Sequence, residues 1–222
     1  MVYLQKITVF LLSLLLIFAF SINIAAESNY NWQQLITTTN EQLKNDSKDI
    51  LLNYTLAVAY ANTGEIKKAY DIIDVFGSSV SRTDFNTAVS PYLEGWNSYE
   101  NKNNLLLLNY AAFAEVINKN YSDAVDLFKY IIKLDSANLW TYNHTAAALM
   151  ELERYDESLE YADKALSMSE NEYSHLIKGV VYYEKGNYIR ALIEAANSRS
   201  LFKAMAEDEY NNFVNGENEK DR

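Results

Sequence analysis

Lys119–Ile132 reads KNYSDAVDLFKYII, and Glu153–Leu166, which starts 34 residues later, reads ERYDESLEYADKAL. The start of this phrase returns at residues 187–191 as NYIRA, and an earlier form stands at residues 65–69 as EIKKA. Aligned in one register, the copies define four units, which start near Ile50, Leu105, Leu139 and Glu172. Self-similarity at a fixed period of this length indicates a repeat architecture in which each unit is one small supersecondary structure.

Each unit has the pattern of two helices joined by a short polar turn. The first helix is apolar over about a dozen residues, and the second carries apolar residues three and four positions apart, as at Val125, Phe128, Ile131 and Ile132. The chain has one proline and six glycines in 222 residues, so it carries few of the turn signals that separate strands. The sequence therefore predicts an all-α fold.

Two positions of every unit hold a small residue. The eighth positions are Ala57, Ala112, Ala146 and Gly179, and the twentieth are Ala69, Ala124, Ser158 and Ala191. Antiparallel helices approach to about 8 Å only where the side chains at their crossing are small. One such hairpin cannot bury its apolar faces, whereas stacked hairpins can, which predicts a solenoid.

This pattern resembles the tetratricopeptide repeat, a unit of about 34 residues. The family favours a small residue at position eight, an aromatic residue at eleven, glycine near fifteen and alanine at twenty. The unit at 50–83 has Ala57, Tyr60, Gly64 and Ala69 at these places. The two middle units replace the glycine by Lys119 and Glu153, and other departures are Glu115 at an aromatic position and Lys178 at an apolar one. The resemblance implies a right-handed α-solenoid of stacked antiparallel hairpins that binds a protein or peptide partner.

The resemblance also implies a concave groove lined by the first helix of each unit. Its lining positions carry over to Tyr54, Val58, Asn109, Phe113, Val116, Trp140, Asn143, Ala147, Met150, Tyr173, Leu176 and Tyr183. Aromatic side chains offer large contact areas, and asparagine offers a peptide backbone both a donor and an acceptor. Asn109 and Asn143 share the fifth position, so they are expected to hold an extended peptide; alternatively, some of the twelve residues pack against neighbouring units.

Further segments are expected around the four units. The units span 50–83, 105–138, 139–171 and 172–205, and an N-terminal cap spans 27–49 with a helix at Asn31–Lys44. The insert at 84–104 is predicted to hold one helix from Pro91 to Tyr99, because proline suits a first helical turn. A capping helix from Leu201 to Val214 is expected to end the array, and residues 215–222 form a polar tail predicted to be disordered.

The N-terminus has the order of a secretory signal. Lys6 precedes an uncharged apolar run from Ile7 to Phe20, and the small residues Ala25 and Ala26 follow. The alternative is an uncleaved membrane anchor over Ile7–Ile24, which at 18 residues is short for a spanning helix. Both interpretations predict an extracytoplasmic protein, secreted or in the cell envelope, with membrane contact only through an uncleaved N-terminal segment.

Charge and composition limit the function further. The chain has 19 basic and 30 acidic side chains; loss of residues 1–26 removes only one lysine, which leaves 18 − 30 = −12. An acidic chain is not expected to bind nucleic acid. The sequence has no cysteine, two histidines outside any zinc-binding pattern, and no nucleophile elbow, phosphate loop or dinucleotide fingerprint. We therefore expect no catalytic, cofactor or metal site.

The sequence thus predicts a non-catalytic exported scaffold that binds a protein segment in its groove and helps to assemble a cell-envelope complex. An extracytoplasmic protein that binds a small molecule or glycan in the same aromatic cleft is the alternative prediction.

Overall fold

The computed structural model describes residues 30–93, 102–201 and 203. In this part of the chain there are ten helices of ten or more residues and no strand. They are α1 Trp32–Leu43, α2 Ile50–Ala61, α3 Ile66–Ser79, α4 Arg82–Leu93, α5 Leu105–Ile117, α6 Tyr121–Leu134, α7 Leu139–Glu151, α8 Tyr155–Met168, α9 Glu172–Glu184 and α10 Tyr188–Asn197. From α5 to α10 each helix packs on the next, which confirms the predicted α-solenoid.

The four hairpin turns share one backbone conformation. Gly64, Lys119, Glu153 and Gly186 have φ angles of 83°, 63°, 58° and 73°. The amide after each of them donates to the carbonyl five residues back, as from Asn120 to Glu115 at 2.8 Å, which is the bond of a Schellman motif. The left-handed position is thus kept in the two middle units although a side chain stands there.

The small residues meet where the two helices of a hairpin cross. The Ser158 hydroxyl donates to the carbonyl of Ala146 at 2.8 Å, which joins position twenty to position eight of one unit. In the last unit, a β-carbon placed on Gly179 would lie 3.6 Å from the carbonyl oxygen of Ala191. All eight small positions are buried, as close packing of each hairpin requires.

The lysine at an apolar position is explained by a charged cluster between the last two units. Lys178 on α9 lies 2.8 Å from Asp163 on α8 and 3.2 Å from Glu194 on α10. His175 also lies 2.5 Å from Glu194 and contacts Glu170. Burial lowers the pKa of His175, but its hydrogen bonds to the two carboxylates outweigh burial and raise the pKa above the ordinary value.

Helix α1 packs on α2 at the N-terminal end of the array. The Asn31 side chain caps α1 by accepting the amide of Gln34 at 2.9 Å. Trp32 and Ile36 are buried in a core with Tyr54 of α2. This helix covers apolar surface that the first hairpin would otherwise expose.

The helix of the insert starts earlier than predicted. It begins at Arg82, and Pro91 lies near its C-terminal end rather than at its first turn. Ser81 sets the start, because its hydroxyl accepts the amide of Asp84 at 3.1 Å and donates to the Asp84 carboxylate at 2.7 Å. The prediction of a start at Pro91 was wrong, because the capping pair of Ser81 and Asp84 starts the helix nine residues earlier.

Other predictions fall outside the described residues. These are the signal or anchor at 1–26, the insert beyond residue 93, and the terminal cap and tail beyond residue 203. No helix within the described residues has the length and apolar character needed to cross a bilayer.

Candidate functional site

The turn between α2 and α3 packs against first helices of later units. The His144 ring on α7 contacts the carbonyl oxygen of Ala61 through Nε2 at 3.1 Å. A β-carbon placed on Gly64 would lie 2.0 Å from Cζ2 of Trp140, so the turn sits directly against that indole. Units of a stacked array normally touch only their neighbours, yet this turn of the first unit reaches the third.

Three buried asparagine side chains tie the turn in place. Asn62 donates to Oδ1 of Asn109 on α5 at 3.0 Å, and Asn138 donates to Oδ1 of Asn62 at 2.9 Å. Asn109 in turn donates to the carbonyl of Leu105 at 2.8 Å. These hydrogen bonds connect the first turn with α5 and with the residue that caps α7, so they fix how the first hairpin lies on the later units.

His144 is the buried polar contact at the centre of this packing. Its ring lies 4.9 Å from that of Phe113 and 6.0 Å from that of Tyr173, measured between centroids. Burial lowers the pKa of His144 to about 4, although the hydrogen bond to Ala61 acts in the opposite direction. The ring is therefore neutral at pH 7 and donates Nε2–H to the carbonyl.

Within the described residues, two clefts lie between the first hairpin and the later first helices. The smaller has a volume of about 210 Å³. One side is formed by Tyr54, Val58, Ile66 and Tyr70, and the other by Phe113, Val116, His144 and Tyr173. The wall is mostly apolar, and the Tyr54 hydroxyl is occupied because it donates to the carbonyl of Tyr110 at 2.5 Å. Burial raises the pKa of Tyr173 to about 12, so its hydroxyl stays protonated.

The larger cleft has a volume of about 340 Å³. It is lined by the turn from Gly64 to Lys68 on one side, and by Trp140, Glu172, Tyr173 and Leu201 on the other. Glu172 accepts a hydrogen bond from the Ser200 hydroxyl and another from the amide of Leu201 at 2.9 Å, and these bonds lower its pKa against the opposite effect of burial. This cleft therefore combines an indole and a phenol with a carboxylate that is ionised at neutral pH.

Comparison with known proteins gives one curated relative. A TPR repeat-containing protein of Methanocaldococcus jannaschii is 26% identical to this chain over 155 residues, which are 68% of the chain and 26% of that protein. The tetratricopeptide-repeat resemblance is confirmed. The chain spans about a quarter of the length of this relative.

Solved structures of MamA are also similar. One is 16% identical and covers 78% of this chain and 88% of its own, with a TM-score of 0.42. Another is 15% identical and covers 78% and 86%, with a TM-score of 0.43. No protein-family model matches the sequence.

The structure places half of the twelve tetratricopeptide groove positions in the two clefts. Five of these positions line the smaller cleft. Two line the larger cleft: Trp140, and Tyr173, which lines both clefts. The six residues are Tyr54, Val58, Phe113, Val116, Trp140 and Tyr173. Tyr54 and Val58 are buried, so their contribution is to the floor of the cleft.

The two asparagines expected to hold a peptide are buried. Asn109 is engaged by Asn62, as described above. Asn143 donates to Oδ1 of Asn171 at 3.0 Å and accepts the hydroxyl of Ser174 at 2.6 Å. Both amide groups therefore join elements of the chain itself, and the expectation that they form rungs for a bound peptide is corrected.

The remaining four tetratricopeptide groove positions line neither cleft. Ala147 and Met150 pack around Ile177 and Val181 in the core between the third and fourth units. Leu176 is half-buried. Tyr183 is exposed, with its ring 5.6 Å from that of Tyr188.

Gly64, Tyr70 and His144 are among the cleft residues that were not predicted. All three reach the site because the first hairpin lies on α5, α7 and α9. The tetratricopeptide register assigns faces by nearest-neighbour stacking, so it contains no signal for this arrangement. Within the described residues, no three histidine, aspartate or glutamate side chains are grouped to hold a metal ion.

Proposed function

We propose that this chain is a non-catalytic interaction scaffold that binds a segment of a partner protein in the two clefts. The tetratricopeptide resemblance supports the general role, because such proteins typically bind other proteins. The observation that carries the specific proposal is the packing of the first turn against α7, which leaves two adjoining clefts with aromatic walls.

The smaller cleft indicates what the segment would insert. Its volume of about 210 Å³ is below the roughly 300–1,000 Å³ of typical small-molecule sites. An apolar side chain of a partner fits better, because Tyr70 and Phe113 would gain apolar contact area without leaving a charge unpaired. The segment would therefore present one or two large apolar side chains.

The larger cleft would accept the polar part of the same segment. Glu65 pairs with Lys68 and Lys67 pairs with Asp71 along its edge, so both signs of charge stand beside Trp140. Backbone groups of a bound segment could exchange hydrogen bonds with these side chains while the indole covers its apolar part.

We also propose that the protein acts outside the cytoplasm, secreted or at the cell envelope. This rests on the order of Lys6, the apolar run and Ala25-Ala26 in the sequence. Assembly of a cell-envelope complex is a role that fits both the location and the scaffold.

Affinity purification with paired variants tests the binding site. Tyr70 lines the smaller cleft and is 43% exposed, whereas Tyr92 on α4 lines neither cleft and is 41% exposed. Tyr70→Ala should lose the partners that the wild type retains, and Tyr92→Ala should keep them. Equal partner sets for both variants would remove the smaller cleft from the binding site.

The larger cleft supports the second candidate, a small-molecule or glycan-binding protein. Its volume of about 340 Å³ lies within the range of small-molecule sites, and Trp140 and Tyr173 offer aromatic faces. A thermal-shift screen of sugars and small apolar compounds decides between the two, because a ligand that binds the native state raises the melting temperature. A hit whose shift disappears in Trp140→Ala would favour this candidate.

A further inference from the structure

The last helix carries an apolar stripe that nothing in the described structure covers. Tyr188, Ile189, Leu192 and Ile193 on α10 are 61%, 76%, 72% and 56% exposed. Tyr183 at the end of α9 extends the stripe, because it is 61% exposed and its ring packs edge-on against that of Tyr188. We call these five residues the α10 stripe. Single exposed apolar residues are ordinary, but a contiguous set marks an interaction surface.

The repeat register identifies which stripe residues are unusual. Leu192 corresponds to Val125 of α6 and Leu159 of α8. The hairpin that follows each of these helices leaves Val125 buried and Leu159 half-buried. An array that ends would leave a residue at this position exposed, so Leu192 alone would not indicate a partner. Terminal units normally meet this problem with a polar outer face.

The two isoleucines differ from all inner units. The position of Ile189 holds Ser122 in the second unit and Asp156 in the third, and the position of Ile193 holds Asp126 and Glu160. All four of these inner side chains are polar and exposed. These positions remain exposed even where a further hairpin stacks, so another unit on α10 would still leave both isoleucines in water.

The chain itself leads away from the stripe after α10. Ser198 is buried, the Leu201 amide donates to Glu172 at the start of α9, and Leu201 lines the larger cleft beside Trp140. The last described residues therefore follow the first-helix side of the array, away from the α10 stripe.

We propose that the α10 stripe is the contact surface between two copies of this chain. The two α10 helices would pack against each other about a two-fold axis, so that each stripe covers its own counterpart. The exposed parts of the five side chains come to roughly 600 Å² per copy, so a contact that covers all of them would bury at most roughly 1,200 Å² in total, and a specific interface needs about 1,000 Å².

The absence of charge on the stripe is compatible with a second copy as the partner. Each copy has a formal charge of −11, so two copies repel each other over most of their surface. The stripe carries no ionisable group that is charged at neutral pH, because its members are tyrosine, isoleucine and leucine. Two copies can therefore meet there without bringing like charges into contact.

Sedimentation velocity of the full chain over a range of concentrations tests the proposal. The wild type should sediment as a species of twice the 25.5 kDa chain mass. The variant Ile189→Asp with Ile193→Glu copies the residues of α8, so the fold should tolerate it, and its dimer dissociation constant should rise at least 100-fold. Val75→Asp on α3 is the control, because Val75 is 61% exposed and lies outside the stripe. It should dimerise like the wild type.

A cysteine at position 192 gives the second readout, because the natural chain has none. Leu192→Cys should form a disulfide-linked pair under mild oxidation, and the pair should disappear in the Ile189→Asp, Ile193→Glu background. A monomeric wild type, or dimerisation that the double variant leaves unchanged, overturns the proposal. If the wild type is monomeric and deletion of residues 204–222 speeds thiol labelling at position 192, the chain's own C-terminal segment covers the stripe instead.

Discussion

Replacing Gly64 by alanine tests how the first turn is seated. Gly64 has φ of 83°, and an added β-carbon would lie 2.0 Å from Cζ2 of Trp140. Gly186 is the matched control, because it occupies the same turn position with φ of 73° and an added β-carbon would meet nothing within 4 Å. Comparing the two variants separates the contact with the indole from the backbone strain.

The expected magnitudes follow from these two terms. Placing alanine in the left-handed conformation destabilises the native state by about 1–2 kcal/mol. Alanine also restricts the unfolded chain, which offsets about 0.4–1 kcal/mol of this cost. Gly186→Ala should therefore lower the free energy of unfolding by about 1 kcal/mol. Gly64→Ala must also displace the Trp140 ring, and overpacking of this kind costs about 1–3 kcal/mol, which gives about 2–4 kcal/mol in total.

Urea denaturation followed by circular dichroism measures both variants. A double-mutant cycle with Trp140→Ala should recover the part of the Gly64→Ala cost that comes from the indole, and Gly186→Ala should show no coupling to Trp140. Equal costs for the two glycine variants, within about 0.5 kcal/mol, would refute the seating of the turn against Trp140.

Four further predictions concern single sites. Lys119→Gly should raise the free energy of unfolding by about 0.5–1 kcal/mol in urea denaturation, because φ is 63° at this residue and glycine removes the strain. Asn62→Ala should lower it by about 2–4 kcal/mol, since Asn109 loses a buried partner; a loss below about 1 kcal/mol would contradict the asparagine chain. Burial lowers the pKa of His144 to about 4 from an ordinary 6.5, so the neutral ring contributes fully to stability above pH 6.5. As the pH falls towards 4, the free energy of unfolding should drop by up to about 3 kcal/mol. Subtracting the pH dependence of His144→Gln from that of the wild type isolates this contribution. Thr141→Val should stabilise by about 1 kcal/mol in thermal melts, because the Thr141 hydroxyl is buried without a hydrogen-bond partner among the described residues.

The hairpins were predictable because their signals are local. Position eight and position twenty lie in one hairpin, so the sequence could place Ala146 and Ser158 at a helix crossing. The register also predicted a short turn at Lys119 and Glu153, but the left-handed conformation of these two residues was not predicted, because neither is glycine. The start of α4 was missed although its signal, Ser81 followed by Asp84, is equally local.

The site was predictable only in part, because it depends on contacts between distant residues. The side chains of Asn62 and Asn109 are 47 positions apart, and those of Asn138 and Asn62 are 76 apart. No periodic pattern encodes these pairs. The register therefore identified Phe113, Trp140 and Tyr173 as first-helix residues but could not foresee that the first hairpin would pack near them.

The most direct test of the whole arrangement is the contact between Gly64 and Trp140. An α-proton of Gly64 points where the added β-carbon would stand, so it should be in van der Waals contact with the six-membered ring. In a sample labelled at glycine and tryptophan, a nuclear Overhauser cross-peak should join this proton to Hζ2 of Trp140, and its resonance should be shifted by the ring current. No cross-peak, with both Gly64 α-protons at random-coil shifts, would contradict the packing of the first hairpin on the later units.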